Sequence, residues 1–348
     1  MSLMNKPLAV KKARKFVSSL RKNGGKIGTA PQSVIINYNN RCNLKCKFCY
    51  EKSLQAKYGD KVLSFEELAN FADQADELGY YDITIQGGEL LIDTEKLYRL
   101  VECLKPERFE IMLVTNGYLM TQEIANHLAD IGVDVVGVSL STLDAATHDE
   151  SRGVKGSHER AMKAMEYVEN AGMIVLPHAI FGHDNAQSKE LEDFLKEMDR
   201  RGYLTYFNLA MPFGEWNQNR DIVLDEKDID KLNYFRKTYK CNIDLWNQYD
   251  LKKEQIMGCG AVNRLYLSPL GDVMPCPFIH ISLGNIKDMP LREIVNHGFS
   301  IKWFHDYYPD CLTAQNQEFR DRFLKDEKDI FSPQIASEIF NEYDYVKE

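Results

Sequence analysis

Between Ser33 and Leu209, short apolar runs alternate with segments whose apolar residues recur every three or four positions. Ser33-Val34-Ile35-Ile36-Asn37-Tyr38 is rich in β-branched residues and reads as a first strand. Phe65, Leu68, Phe71, Ala72, Ala75 and Leu78 then fall on one face of a helix, with Ser64 placed to cap its start. The same alternation predicts strands over 82–86, 110–114, 134–140, 173–177 and 204–209, and helices over 93–104, 121–131, 158–170 and 188–201. Strands that alternate with helices argue for an α/β fold with a parallel sheet and helices on its outer face. Six strands fall short of a complete eight-stranded barrel, so a partial (β/α)6 TIM-like barrel is expected. In such sheets ligands sit at the carboxyl ends of the strands.

After Pro212 the pattern changes. A polar helical stretch runs from Asp225 to Lys237, and two short strands then flank a Pro269-Leu270-Gly271-Asp272 turn, which reads as a hairpin. The expected organisation is an N-terminal helical extension over 1–32, a core over 33–212 and a linker or helical region over 213–254. A small C-terminal domain with the hairpin and further helices is expected over 255–348. Within the extension, Lys11, Lys12, Arg14, Lys15, Arg21 and Lys22 lie among Val10, Phe16, Val17 and Leu20. This amphipathic pattern suits a helix packed on the core with a solvated basic face; a membrane or nucleic-acid anchor is the other reading.

Composition narrows the function classes. The chain has 348 residues, 44% hydrophobic and 27% charged, which suits a folded chain of one large and one modest domain. Its 43 basic and 52 acidic residues give a net charge of −9, and such a surface repels phosphate backbones, so no nucleic-acid partner is expected. No apolar run approaches the roughly 20 residues that span a bilayer, and no secretory signal opens the chain. No membrane partner is expected, and the chain reads as cytoplasmic. Eight cysteines in a chain this long do not suit a secreted disulfide scaffold; clustered ones suit metal ligation. Cys103, inside the apolar helical pattern of 97–104, reads as a small core residue.

Cys42, Cys46 and Cys49 follow the first strand with the spacing Cys-x3-Cys-x2-Cys. A structural zinc site would need a fourth ligand, and no nearby histidine or cysteine supplies one. Three thiolates on a [4Fe-4S] cluster instead leave one iron open to a small molecule.

The segment from Arg41 to Tyr50, with aromatic Phe48 before the third cysteine, resembles the signature of the radical S-adenosylmethionine (SAM) superfamily. The resemblance implies that SAM chelates the open iron. It also implies that reductive cleavage yields a 5′-deoxyadenosyl radical, which abstracts a hydrogen atom from substrate. Further family features follow in order. Gly87-Gly88-Glu89 resembles the motif that contacts the SAM amino group, with Leu90 in place of the usual proline. Asn116, Ser139 and Arg152 resemble the contacts to the SAM ribose and carboxylate. The cofactor-binding set implied is Phe48, Tyr50, Gly87, Gly88, Glu89, Asn116, Ser139 and Arg152. A reductant such as flavodoxin or ferredoxin is the implied electron-donating partner.

Downstream, Cys259, Cys276 across the hairpin, and Cys311 resemble the auxiliary-cluster domains called SPASM and, in shorter form, Twitch. Fewer cysteines match than in the full SPASM pattern, so a second, auxiliary [4Fe-4S] cluster on these three is implied. A cysteine usual at position 314 is Ala314 here; Cys241 as fourth ligand and an open iron both remain readings.

The implied activity is a radical SAM oxidoreductase or maturase whose auxiliary cluster serves electron transfer or substrate anchoring. Its substrate would be a ribosomal peptide or a small polar metabolite. About 32 residues before the first strand are short for a winged peptide-recognition domain, which counts against a peptide. The alternative is a non-catalytic iron–sulfur electron-transfer protein. No catalytic side chain is identified; His178, His183, Asp184, Asn208, Glu215 and Trp216 lie near strand ends as substrate-holding candidates.

Overall fold

The computed structural model describes residues 6–49, 61–211, 214–216, 219–243, 259–305, 307–308, 311–313, 316–324 and 332–347. Seven strands, β1 (Ser33–Asn37), β2 (Asp82–Gln86), β3 (Glu110–Thr115), β4 (Val135–Ser139), β5 (Ile174–Phe181), β6 (Thr205–Leu209) and β7 (Cys241–Ile243), lie in chain order and pair in parallel. Helices return the chain between successive strands, among them α2 (Phe65–Leu78), α3 (Thr94–Cys103) and α4 (Gln122–Asp130).

Side chains alternate across each strand. Val34, Ile36, Ile83, Ile85, Ile111, Leu113, Val136, Val138 and Phe207 face the helices and form the main core with Leu68, Phe71, Leu97 and Leu128. The intervening positions, including Thr84, Gln86, Ser139, His178, Tyr206 and Asn208, face the barrel interior. Ser64 caps α2 through a reciprocal pair with Glu67, as its position in the sequence suggested.

The expected break between core and C-terminal domain is not a break in the sheet. β8 (Arg264–Leu267) pairs in parallel with β1, and β9 (Asp272–Met274) folds back on β8 as the predicted hairpin. The short β10 (Ile281–Ser282) follows, and β11 (Gly284–Asn285) pairs with β9. Among the described residues the sheet thus has ten strands in the order β11-β9-β8-β1-β2-β3-β4-β5-β6-β7. Without β8, the free edge of β1 would expose unpaired backbone groups. β7, inside the expected linker, was not foreseen because its described stretch is only three residues.

α1 (Pro7–Lys22) buries Ala9, Phe16 and Leu20. It packs at the amino ends of the strands, where the Lys6 amine pairs with Asp134 and donates to the carbonyls of Phe109 (2.9 Å) and Gly132 (2.7 Å). Its basic residues Lys11, Arg14, Lys15, Arg21 and Lys22 face solvent. No helix among the described residues is long and apolar enough to cross a membrane.

Candidate functional site

A cavity of about 260 Å³ runs from the carboxyl ends of β1–β6 into the barrel interior. Cys42, Cys46, Phe48 and Cys49 form its roof, and Gly87, Gly88, Asn116, Ser139 and Arg152 stand on its walls. The cysteine loop has no regular structure of its own and is held by its neighbours. The amides of Gly88 and Glu89 donate to the carbonyls of Asn39 (2.8 Å) and Arg41 (2.6 Å). On the other side, the amides of Lys45 and Lys47 donate to the carbonyls of Arg152 (3.0 Å) and Ser151 (2.9 Å). Those acceptors end α5 (Ala145–Arg152), which lies within a segment read from sequence only for its arginine.

The two glycines answer a packing demand. A Cβ on Gly87 would lie 2.4 Å from the Asn39 carbonyl oxygen, and one on Gly88 would lie 2.1 Å from that of Arg41. Backbone meets backbone here, and no side chain fits between.

Glu89 is held from below by protein donors. Its carboxylate does not line the cavity; it is 2% exposed, beneath the cavity wall. It accepts from the Thr115 hydroxyl (2.8 Å), the Asn116 amide (2.7 Å) and the Leu91 amide (3.0 Å). Burial raises its pKa, and these donors pull it back down. Glu89 therefore ties the end of β2 to the end of β3 and positions Asn116. Glu89→Gln would turn an amide group toward these donors, leaving one unmet, at a cost of about 2 kcal/mol. Chemical denaturation would read that loss.

Donors converge on the first triad. The Leu44 amide (3.4 Å) and Asn116 Nδ2 (3.9 Å) point at Cys42 Sγ, and Arg152 Nη1 points at Cys46 Sγ (3.7 Å). The Arg152 guanidinium also lies over the Phe48 ring, 4.8 Å from its centre. Tyr50 lies outside the described residues, as does Ala314.

A second, smaller pocket of about 30 Å³ is lined by Cys259, Cys276 and Cys311, with Arg264, Pro277 and Thr313. The amides of Ala261 and Leu312 donate toward the Cys259 sulfur, and those of Phe278 and Ile279 toward Cys276. Burial pushes the Cys259 thiol up to about 12 and raises Cys276 as well. Four amides aimed at two sulfurs suit thiolates that are metal-bound. Cys241 is not among this group. It begins β7 at the opposite edge of the sheet, paired with Thr205 at the amino end of β6, and its charged neighbours are Arg236 and Asp199. Among the described residues lining this pocket, no carboxylate, histidine or fourth cysteine is present.

Neither thiol triad brings its three sulfurs within 4.8 Å of one another. Zinc–sulfur bonds of about 2.3 Å in a tetrahedron would hold them about 3.8 Å apart. Both triads are wider than zinc requires.

Of the substrate-holding candidates, His178, Asn208 and Trp216 line the cavity; His183, Asp184 and Glu215 do not. His183 Nδ1 instead meets Asp228 at 2.6 Å, which raises its pKa. The stability this pair supplies is present below the ordinary imidazole range and disappears as pH rises through the raised value. The unfolding-midpoint difference between the parent and His183→Gln should therefore shrink from pH 6 to pH 9. Sequence reading missed Thr115, Tyr206, Arg264 and His280, which also line the cavity. Tyr206 was accessible from strand alternation with Asn208; His280 carried no local signal.

A model of the radical SAM superfamily matches residues 36–198, and a model of an iron–sulfur cluster-binding domain, SPASM, matches residues 259–320. A probable GTP 3′,8-cyclase of Methanococcus maripaludis (strain C6) is 32% identical over 309 residues, covering 86% of this chain and 98% of that protein. The antilisterial bacteriocin subtilosin biosynthesis protein AlbA of Bacillus subtilis is 25% identical over 305 residues, covering 85% of this chain; the chain spans 64% of AlbA's length. The crystal structure of Streptococcus suis SuiB bound to the precursor peptide SuiA aligns with a TM-score of 0.61 at 17% identity, covering 85% of this chain and 69% of that one, which shows a shared fold.

Proposed function

Because the chain belongs to the radical SAM superfamily and carries a SPASM domain, with the SAM-binding and auxiliary [4Fe-4S] clusters these imply, we propose that it is an oxidoreductase or maturase that abstracts a hydrogen atom from its substrate. The observation that carries this reading is the shared wall. Arg264 and Pro277 line both the cavity under Cys42, Cys46 and Cys49 and the pocket of Cys259, Cys276 and Cys311. A substrate in that cavity lies between two metal centres.

When bound, the cluster and SAM supply a one-electron reductive cleavage that yields the hydrogen-abstracting species. The chain's own residues do the rest. Cys42, Cys46 and Cys49 would hold the first cluster, and Asn116, Ser139 and Arg152 stand where SAM would be oriented. Phe48 and Trp216, with ring centres 5.7 Å apart, cover this end of the cavity and exclude water. Cys259, Cys276 and Cys311 would hold the auxiliary cluster, with a fourth position open to substrate. His178 stacks on Tyr206 at 4.9 Å and offers a substrate both a flat surface and a polar edge.

The substrate is a peptide side chain or a small polar metabolite. AlbA's name places one relative in bacteriocin biosynthesis and the cyclase's name places another on GTP. Anaerobic incubation of reconstituted protein with SAM and dithionite tests the reading. Formation of 5′-deoxyadenosine supports it; its absence from fully loaded protein favours the electron-carrier alternative.

A further inference from the structure

Arg264 opens β8, and its register places it beside Ser33 of β1, which in turn lies beside Asp82 of β2. All three positions face the barrel interior at the amino ends of the strands. Asp82 is also in register with Glu110 of β3, and the two carboxyl groups share a hydrogen bond. Burial raises the pKa of both; repulsion from Glu110 adds to the rise at Asp82 and repulsion from Asp134 to the rise at Glu110, while the Arg264 charge opposes the rise at Asp82. A hydrogen bond between two carboxyl groups requires a proton on one of them and leaves the other as an acceptor that can carry negative charge.

Arg264 thus stands in the same row as this carboxyl pair and on the wall of the cysteine pocket. Its amide donates to the Gly260 carbonyl (2.9 Å), which fixes it one residue from Cys259. The pocket's described lining holds one charged side chain, and it is Arg264. A cluster on three thiolates gains a negative charge on reduction. A fixed cation nearby favours the reduced state, more strongly where water is excluded.

We propose that Arg264 sets the reduction potential of the auxiliary centre, with Asp82 and Glu110 holding it in place and partly offsetting its charge. This rests on the reading that Cys259, Cys276 and Cys311 hold a cluster. Arg264 acts through the field it imposes and is a positioning residue, not a catalytic one. Its position on the wall between the two sites makes it the control point for an electron that leaves substrate toward the auxiliary centre.

The test is EPR-monitored redox titration of reconstituted full-length protein in a Cys42/Cys46/Cys49→Ala background, where the auxiliary cluster alone is visible. Arg264→Gln should move the midpoint to more negative potential, and Arg264→Lys should hold it near the parent. The double variant Asp82→Asn/Glu110→Gln removes the pair's negative charge and should move the midpoint the opposite way, by less because neither carboxyl group lines the pocket. An unchanged midpoint in Arg264→Gln, or the same direction of shift in Arg264→Gln and the double variant, overturns the proposal. Absence of any cluster in the background itself would instead remove the three-cysteine reading. Iron content measured on each variant separates these outcomes.

Discussion

Changing Cys42, Cys46 and Cys49 together to alanine is expected to abolish 5′-deoxyadenosine formation while leaving the protein folded and still coloured. The three thiols line the cavity roof, on a loop without regular structure. The fold does not rest on them, because the main core lies between the outer face of the sheet and the helices. Iron should fall by about four atoms per chain, the content of one cubane, with the remainder held at the second triad. Changing Cys259, Cys276 and Cys311 should remove the other share and leave SAM cleavage measurable. Colorimetric iron analysis paired with product chromatography checks both halves. Loss of all iron from the first variant would show that the two sites do not load independently.

Gly88→Ala is expected to be nearly as damaging, although it removes no ligand and no charge. The added carbon would lie 2.1 Å from the carbonyl oxygen of Arg41 and 2.5 Å from its carbonyl carbon. Neither atom can rotate away, because both are backbone. Relief requires the cysteine loop to separate from the end of β2, breaking the bonds from Gly88 to Asn39 and from Glu89 to Arg41. We expect a loss of about 3 kcal/mol in folding stability, at the upper end for overpacking, together with failure to assemble the first cluster. Thermal unfolding and the iron content of the purified protein read the two effects. Near-parent stability with full iron would mean that the loop tolerates displacement. Alanine at Gly24, where a Cβ meets nothing within 4 Å, offers a comparison in which backbone conformation alone is perturbed.

Much of the barrel was accessible from local pattern. β2 was foreseen over its observed range, and Ser64 caps α2 as expected. The first triad was visible as a spacing because its ligands lie within eight residues of one another. The bonds that Thr115 and Asn116 make to Glu89 had no local sign, because they depend on a strand 20 and more residues away. Cys241 stayed open as an auxiliary ligand for the same reason, since proximity in the chain says nothing about which edge of a sheet a cysteine joins.

Periodicity, cysteine spacing and strand-end motifs are written in neighbouring residues, so the strand–helix alternation, the first metal triad and the family resemblance could be read from order alone. Which surfaces meet is a different matter. The pairing of β8 with β1 brings residue 264 beside residue 33, and with it the second triad to the wall of the first cavity. That contact is worth forming because it satisfies an exposed strand edge, a demand that arises only once the sheet exists. The shared wall and the position of Arg264 beside Asp82 and Glu110 follow from that closure, and the burial of Glu89 follows from the pairing of β2 with β3.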